Sequence, residues 1–63
     1  MKRRDFIKHL TKYKCTLHRE GANHSIYKNQ SGVATAVPRH PEIDDYTIKS
    51  ICKQLDIPLA GKN

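Results

Sequence analysis

The residue best suited to chemistry in this chain is His24, in the stretch Glu20–Asn29, EGANHSIYKN, where a Gly-containing turn hands over to a β-favouring run. An imidazole changes charge near neutral pH, so a histidine held by a turn and reachable from solvent is suited to accept a proton. Strand cleavage at an RNA phosphate asks for little more. The 2′-hydroxyl is a built-in nucleophile, and the protein needs only to take its proton, hold the phosphate in line and offset developing charge. Lys28 and Arg39 are candidates to hold phosphate, Arg39 with bidentate geometry. A general acid for the leaving oxygen has three candidates, His40, Tyr27 and His18, and the spacing does not choose among them. The plainer alternatives are that His24 is an ordinary surface histidine and that His40 braces its loop.

Other constellations are weaker. Cys15-x₂-His18 has a spacing seen in zinc sites, but no second pair of ligands matches it, so neither metal nor cofactor is expected. Cys15 and Cys52 sit in apolar patterns and are too few for a disulfide framework, which suits reduced core thiols in a cytoplasmic protein. Glu42, Asp44 and Asp45 precede an apolar-periodic segment, where acids serve a helix N-terminus. Phe6 and the three tyrosines read as core or rim packing rather than a platform for stacked bases.

Charge narrows the class of partner. The 63 residues carry 12 Lys and Arg against six Asp and Glu, a net charge of +6. Residues 1–19 hold seven basic residues and one acid, Asp5, whereas residues 20–63 are balanced, so the excess sits entirely in the first element and the strand after it. Such asymmetry points to a polyanion, nucleic acid first of all, with a solvated helix face as the competing explanation. Lys8 and Lys12, one helical turn apart, are the expected RNA contacts there. No apolar run approaches the length of a membrane span, and the basic start lacks the apolar segment of a signal peptide. One domain over residues 1–63 is expected, too small to enclose a large cofactor.

The elements that position these residues are legible in outline. Phe6, Leu10, Tyr13 and Leu17 fall on one helical face, although Leu17 also fits a strand from Cys15 to Arg19. Glu20–Asn23 is a turn in which Gly21 is able to take positive φ, Ser25–Lys28 a strand, and Asn29–Gly32 a second turn. A third strand, Val33–Val37, stops at Pro38. Ile48, Ile51, Cys52 and Leu55 mark a second helix, with Asp44, Asp45 and Thr47 as possible caps and Pro58 beyond its end. The order is α-β-β-β-α, which predicts an α+β fold with a three-stranded antiparallel sheet and both helices on one face. Period-2 alternation puts His24 on the face of Ile26, which is expected to be the core face, so His24 is expected to emerge at the end of the sheet.

Three motifs in this order carry a family resemblance. Gly21–Asn29 (GANHSIYKN), Val37–Ile43 (VPRHPEI) and Thr47–Pro58 (TIKSICKQLDIP) together resemble the HicA toxins of type II toxin–antitoxin modules. The resemblance spans residues 21–57 closely, and the first 20 residues agree in pattern only. It implies a fold like the double-stranded-RNA-binding domain, cleavage of messenger or other single-stranded RNA, His24 as the catalytic residue, and a HicB-like antitoxin as partner; attack by the 2′-hydroxyl makes the expected cleavage metal-independent. Lys14 and Asp56 stand where the family often has glycine, and Ala22 where it has a second turn Gly or Ser; none of these departures removes a side chain the chemistry needs. The reading is therefore an endoribonuclease toxin. The alternative is a non-catalytic RNA-binding module using the basic first helix, and a DNA-binding regulator is disfavoured because no helix-turn-helix spacing is present.

Overall fold

The computed structural model describes residues 1–60, with the elements α1 (Arg3–Lys12), β1 (Thr16–Glu20), β2 (His24–Lys28), β3 (Ala34–Pro38) and α2 (Asp45–Leu55). The order matches the expected α-β-β-β-α, and each strand lies within a residue of its expected span. The sheet is antiparallel in the order β1-β2-β3, which makes β2 the central strand.

Both helices pack on the same face of this sheet. Phe6 and Leu10 of α1 and Ile48, Ile51, Cys52 and Leu55 of α2 form one core with Tyr27, Val37, Ile43 and Cys15. Full burial of an apolar side chain of this size stabilises by about 1.5–3 kcal/mol, so these few contacts hold the two layers together. Leu17 belongs to β1, not to the helix, because α1 has already ended.

The two helices terminate in the same way. The Cys15 amide donates to the Leu10 carbonyl at 2.9 Å and the Lys14 amide to Thr11 at 3.0 Å. After α2, the Ile57 amide donates to Cys52 at 3.0 Å and the Asp56 amide to Lys53 at 3.2 Å. This paired closure requires a left-handed residue. Lys14 (φ 65°) and Asp56 (φ 57°) supply it themselves. A non-glycine side chain there costs roughly 1–2 kcal/mol, less for Asp, whose short polar side chain tolerates the conformation. α2 is capped at its start by Asp44, whose carboxylate accepts from the Thr47 amide at 3.1 Å and the Thr47 hydroxyl at 2.7 Å. Those bonds, the hydroxyl first, hold the Asp44 carboxyl below its ordinary range.

The segment after β3 docks on the first residues of the chain. The Ile43 amide donates to the Met1 carbonyl at 2.9 Å, and the Arg3 amide to the Pro41 carbonyl at 2.8 Å. The irregular stretch that carries Arg39 and His40 is thereby fastened at its far end. Pro38 is tolerated because β3 is an edge strand.

Candidate active site

The alternation along β2 resolves the position of His24. Ser25 and Tyr27 are buried, whereas His24 is exposed and Ile26 and Lys28 are half-buried. His24 does share a face with Ile26, but that face is the open one, not the core face expected from the apolar side chain. Its ring therefore has no helix to clear. Across β3 the same face carries Ala34, Ala36 and Pro38, with Pro38 directly opposite His24. Two small residues and a proline leave the surface beside the histidine shallow and accessible.

A β-bulge in β1 decides what stands on the other side. Leu17 pairs with Tyr27, but the next pairs are Arg19 with Ile26 and Glu20 with Ser25, so one residue is inserted between Leu17 and Arg19. Such an insertion re-aims every side chain beyond it. Without it, Glu20 would lie opposite His24 on the open face. With it, Arg19 joins Ile26 on the open face and the Glu20 carboxylate turns to the packed side beside Ser25. A cation replaces an anion next to the histidine, which favours an approaching phosphate.

Behind His24 lies a network of polar side chains. Ser25 is only 1% exposed, yet its hydroxyl is satisfied: it accepts from Arg3 Nη2 at 2.9 Å and donates to Glu20 Oε1 at 2.7 Å. Arg3 also donates through Nε to the Pro38 carbonyl at 2.8 Å. Arg39 reaches back from beyond β3 and donates through Nε to Glu20 Oε1 at 3.0 Å and through Nη1 to the Ala22 carbonyl at 3.2 Å. Its Nη2 donates to the carbonyls of His24, at 3.0 Å, and of Gly21, and pairs with Glu20 Oε1 at 2.8 Å. The Ser25 hydroxyl and then the Arg39 guanidinium hold the Glu20 carboxyl below its ordinary range.

Gly21 belongs to the same turn for a reason other than the one expected. Its φ is not positive; Gly32 in the other turn is the glycine in that region, at φ 90°. What Gly21 provides is room. Its amide donates to the His24 carbonyl at 2.7 Å, and a Cβ there would meet that carbonyl oxygen at 3.1 Å.

The other candidate residues fall into separate places. Lys28 shares the open face with His24. Lys8 and Lys12 are exposed on α1 and belong to the helical layer, on the opposite side of the sheet. Tyr27 is not brought to His24: it is buried in the core, because alternation turns it to the other face of β2. His40 is exposed two residues past Pro38. Arg39 is exposed, but each nitrogen of its guanidinium is already engaged, Nε with the Glu20 carboxylate and Nη1 and Nη2 with the carbonyls of Ala22, Gly21 and His24. Cys15 is buried while His18 is exposed in the bulge, so that spacing makes no ligand pair. Burial pushes the thiols of Cys15 and Cys52 up, away from reactive thiolate. The contributors that sequence reasoning missed are Arg19, Glu20, Ser25 and Arg3. Their placement depends on strand register, and the bulge that sets it has no signature in TLHRE.

Two layers, a bulged edge strand and an exposed histidine opening the central strand define a small α+β domain with a polar, one-sided surface site. The family described as HicA toxin of bacterial toxin–antitoxin matches residues 3–57. The chain belongs to the HicA toxin family. No curated protein and no solved structure matches it. Membership makes it a toxin of a toxin–antitoxin system and implies an antitoxin as its partner. No helix among the described residues is long and apolar enough to cross a membrane.

Proposed function

We propose that the protein is an endoribonuclease that cuts messenger RNA with His24 as general base and is neutralised by a HicB-like antitoxin. The observation that carries this reading is the open face of β2, where an exposed imidazole opens the strand beside small side chains of β3, with Arg19 paired to Ile26 on the same face and Lys28 at the strand's far end. His24 takes the proton of the 2′-hydroxyl, whose oxygen attacks the adjacent phosphorus. Arg19 holds the phosphate and offsets its growing charge, in the place first expected for Arg39, and Lys28, about 13 Å along the strand, meets a neighbouring phosphate of the same RNA. His40 is the exposed candidate for the proton returned to the leaving oxygen. Lys8 and Lys12 give a second basic surface, which strengthens binding over a longer stretch of RNA without reading its sequence.

Messenger RNA incubated with the protein in EDTA tests the mechanism. Cleavage survives the chelator, the ends carry 2′,3′-cyclic phosphate, and His24→Ala slows cutting by roughly 10²–10⁴-fold. Because His24 is exposed, the same substitution changes stability by no more than about 0.5 kcal/mol. Cleavage at the normal rate by His24→Ala, or strict dependence on Mg²⁺ with 3′-hydroxyl ends, refutes the assignment. Binding of RNA with no cleavage by the unaltered protein leaves the non-catalytic RNA-binding module as the correct reading.

A further inference from the structure

We infer that Glu20 and Arg39 act as a positioning clamp for His24, with Arg39 serving the site by holding its turn rather than by touching the substrate. The inference rests on the proposed role of His24, and it assigns work to two residues that the chemistry itself leaves idle.

Three observations carry it. The first is the register. The bulge between Leu17 and Arg19 is what brings Glu20 opposite Ser25, and bulges recur where a strand must re-aim a side chain. The second is how completely Arg39 is engaged. Its guanidinium spans the Glu20 carboxylate and the carbonyls of Gly21, Ala22 and His24, so one rigid fork fixes both the turn and the backbone of the histidine. The third is the anchor beneath. Ser25, the residue after His24, is buried and joins Glu20 to Arg3 of α1, so the clamp is tied to the helical layer.

The physical logic is that an exposed catalytic side chain has no packing to hold it. A turn of Gly21, Ala22 and Asn23 offers little of its own, and reaction rates fall steeply with small displacements of a reacting group. Satisfying three turn carbonyls from one guanidinium removes that freedom while leaving the ring of His24 in solvent. Glu20 keeps Arg39 in place against the pull of a bound phosphate, which would otherwise compete for the same donors.

Glu20→Gln distinguishes this role from phosphate binding, because the two predict opposite results. If Arg39 positions His24, Glu20→Gln and Arg39→Lys each lower the single-turnover rate at saturating RNA by roughly ten- to hundredfold. The RNA concentration giving half that rate stays within about twofold, and the double variant is little worse than the worse single one. If Arg39 is a phosphate ligand restrained by Glu20, Glu20→Gln leaves the rate intact and tightens RNA binding; that result overturns the clamp. Amide exchange in the RNA-free protein provides a readout independent of cleavage. The Gly21 amide donates to the His24 carbonyl in one turn, as the Asn29 amide does to Val33 in the other. A clamp requires Glu20→Gln to speed exchange at Gly21 and not at Asn29. Equal acceleration at both means general destabilisation and refutes it. If the unaltered protein cuts no RNA, the nuclease proposal fails, and the exchange comparison alone decides the clamp.

Discussion

The two turns that flank β2 are built on opposite principles. The β2–β3 turn is held by its own residues. Asn29 Oδ1 accepts from the amides of Ser31 and Val33, both at 2.9 Å, and the Gly32 amide donates to the Asn29 carbonyl at 3.1 Å. Gly32 supplies the positive φ, and Asn29 Nδ2 fastens the turn to the Leu55 carbonyl at 2.9 Å. The β1–β2 turn has a single backbone bond, from Gly21 to His24, and otherwise borrows its donors from Arg39, in sequence 18 residues from Gly21. The turn remote from His24 is closed by local chemistry and tied to α2 by one bond, whereas the turn that aims His24 is closed mainly by tertiary donors. A candidate catalytic group is thus held by side chains from several elements, so its position responds to distant substitutions in a way the other turn does not.

The contrast is broken most severely at Arg39. Arg39→Ala removes the ion pair with Glu20 and the side-chain donors to the carbonyls of Gly21, Ala22 and His24. It leaves only the Ser25 hydroxyl on Glu20 and the Gly21 amide on His24, and is expected to cost roughly 10²-fold in cleavage. The Glu20–Arg39 pair is open to solvent, so the accompanying loss of stability is expected to be small beside the loss of rate. Denaturant melts and cleavage rates on one sample check both. A rate that falls only as far as the folded fraction falls would abolish the distinction between the turns.

Asn29→Ala is the matching cut in the other turn. It removes three bonds of the Asn29 side chain and is expected to cost about 1–2 kcal/mol. That corresponds to a melting temperature lower by several degrees, at about 4–8 °C per kcal/mol for a domain of this size. Cleavage per folded molecule should not change. A selective loss of cutting would mean that the two turns are coupled.

The two glycines separate conformational freedom from space. Gly32→Ala forces a side chain into φ 90° with nothing within 4 Å of it, a strain of roughly 1–2 kcal/mol that should appear in stability alone. Gly21→Ala carries no such backbone strain, but its Cβ presses on the His24 carbonyl, so the larger fraction of its effect should appear in cleavage. Melting curves beside single-turnover rates for both variants test this assignment, and equal behaviour would remove it.

The smallest effect is on pH dependence. Glu20 is held below its ordinary carboxylate range when folded, so its contribution is complete above that range and is lost as pH falls through the lowered value. Asp44 behaves likewise through Thr47, in a different part of the molecule. Melting temperature should therefore fall toward acid, and Glu20→Gln should make that fall shallower while leaving the share due to Asp44. Superimposable slopes for the two proteins would show that Glu20 is not engaged in solution.

His24, the order of the elements and the family motifs were legible in the amino-acid string, because each rests on local chemistry: turn residues, helical spacing of Phe6 and Leu10, the cap at Asp44. The helix end at Asp56 was legible, because Asp tolerates the left-handed conformation, whereas Lys14 was expected to end the first helix differently and instead takes that same conformation. The faces of β2 were not legible. Alternation ranks Ile26 as core and Ser25 as surface, since an apolar side chain favours burial and a hydroxyl resists it. The structure inverts both, because Arg3 and Glu20 satisfy the hydroxyl of Ser25 and the core is filled instead by Tyr27 and Val37.

What the sequence by itself determined is the inventory: an imidazole after a short turn, a basic first helix, three strands and two amphipathic helices in a family-specific order. What only the tertiary structure decided is which side of the sheet each residue serves. One extra residue in β1 moves Glu20 away from His24 and Arg19 toward it, and Arg39 closes on the turn from beyond β3. Register has a period of two, so a single insertion exchanges the faces. Nothing local in five exposed residues of β1 favours one register over the other until β2 is beside them.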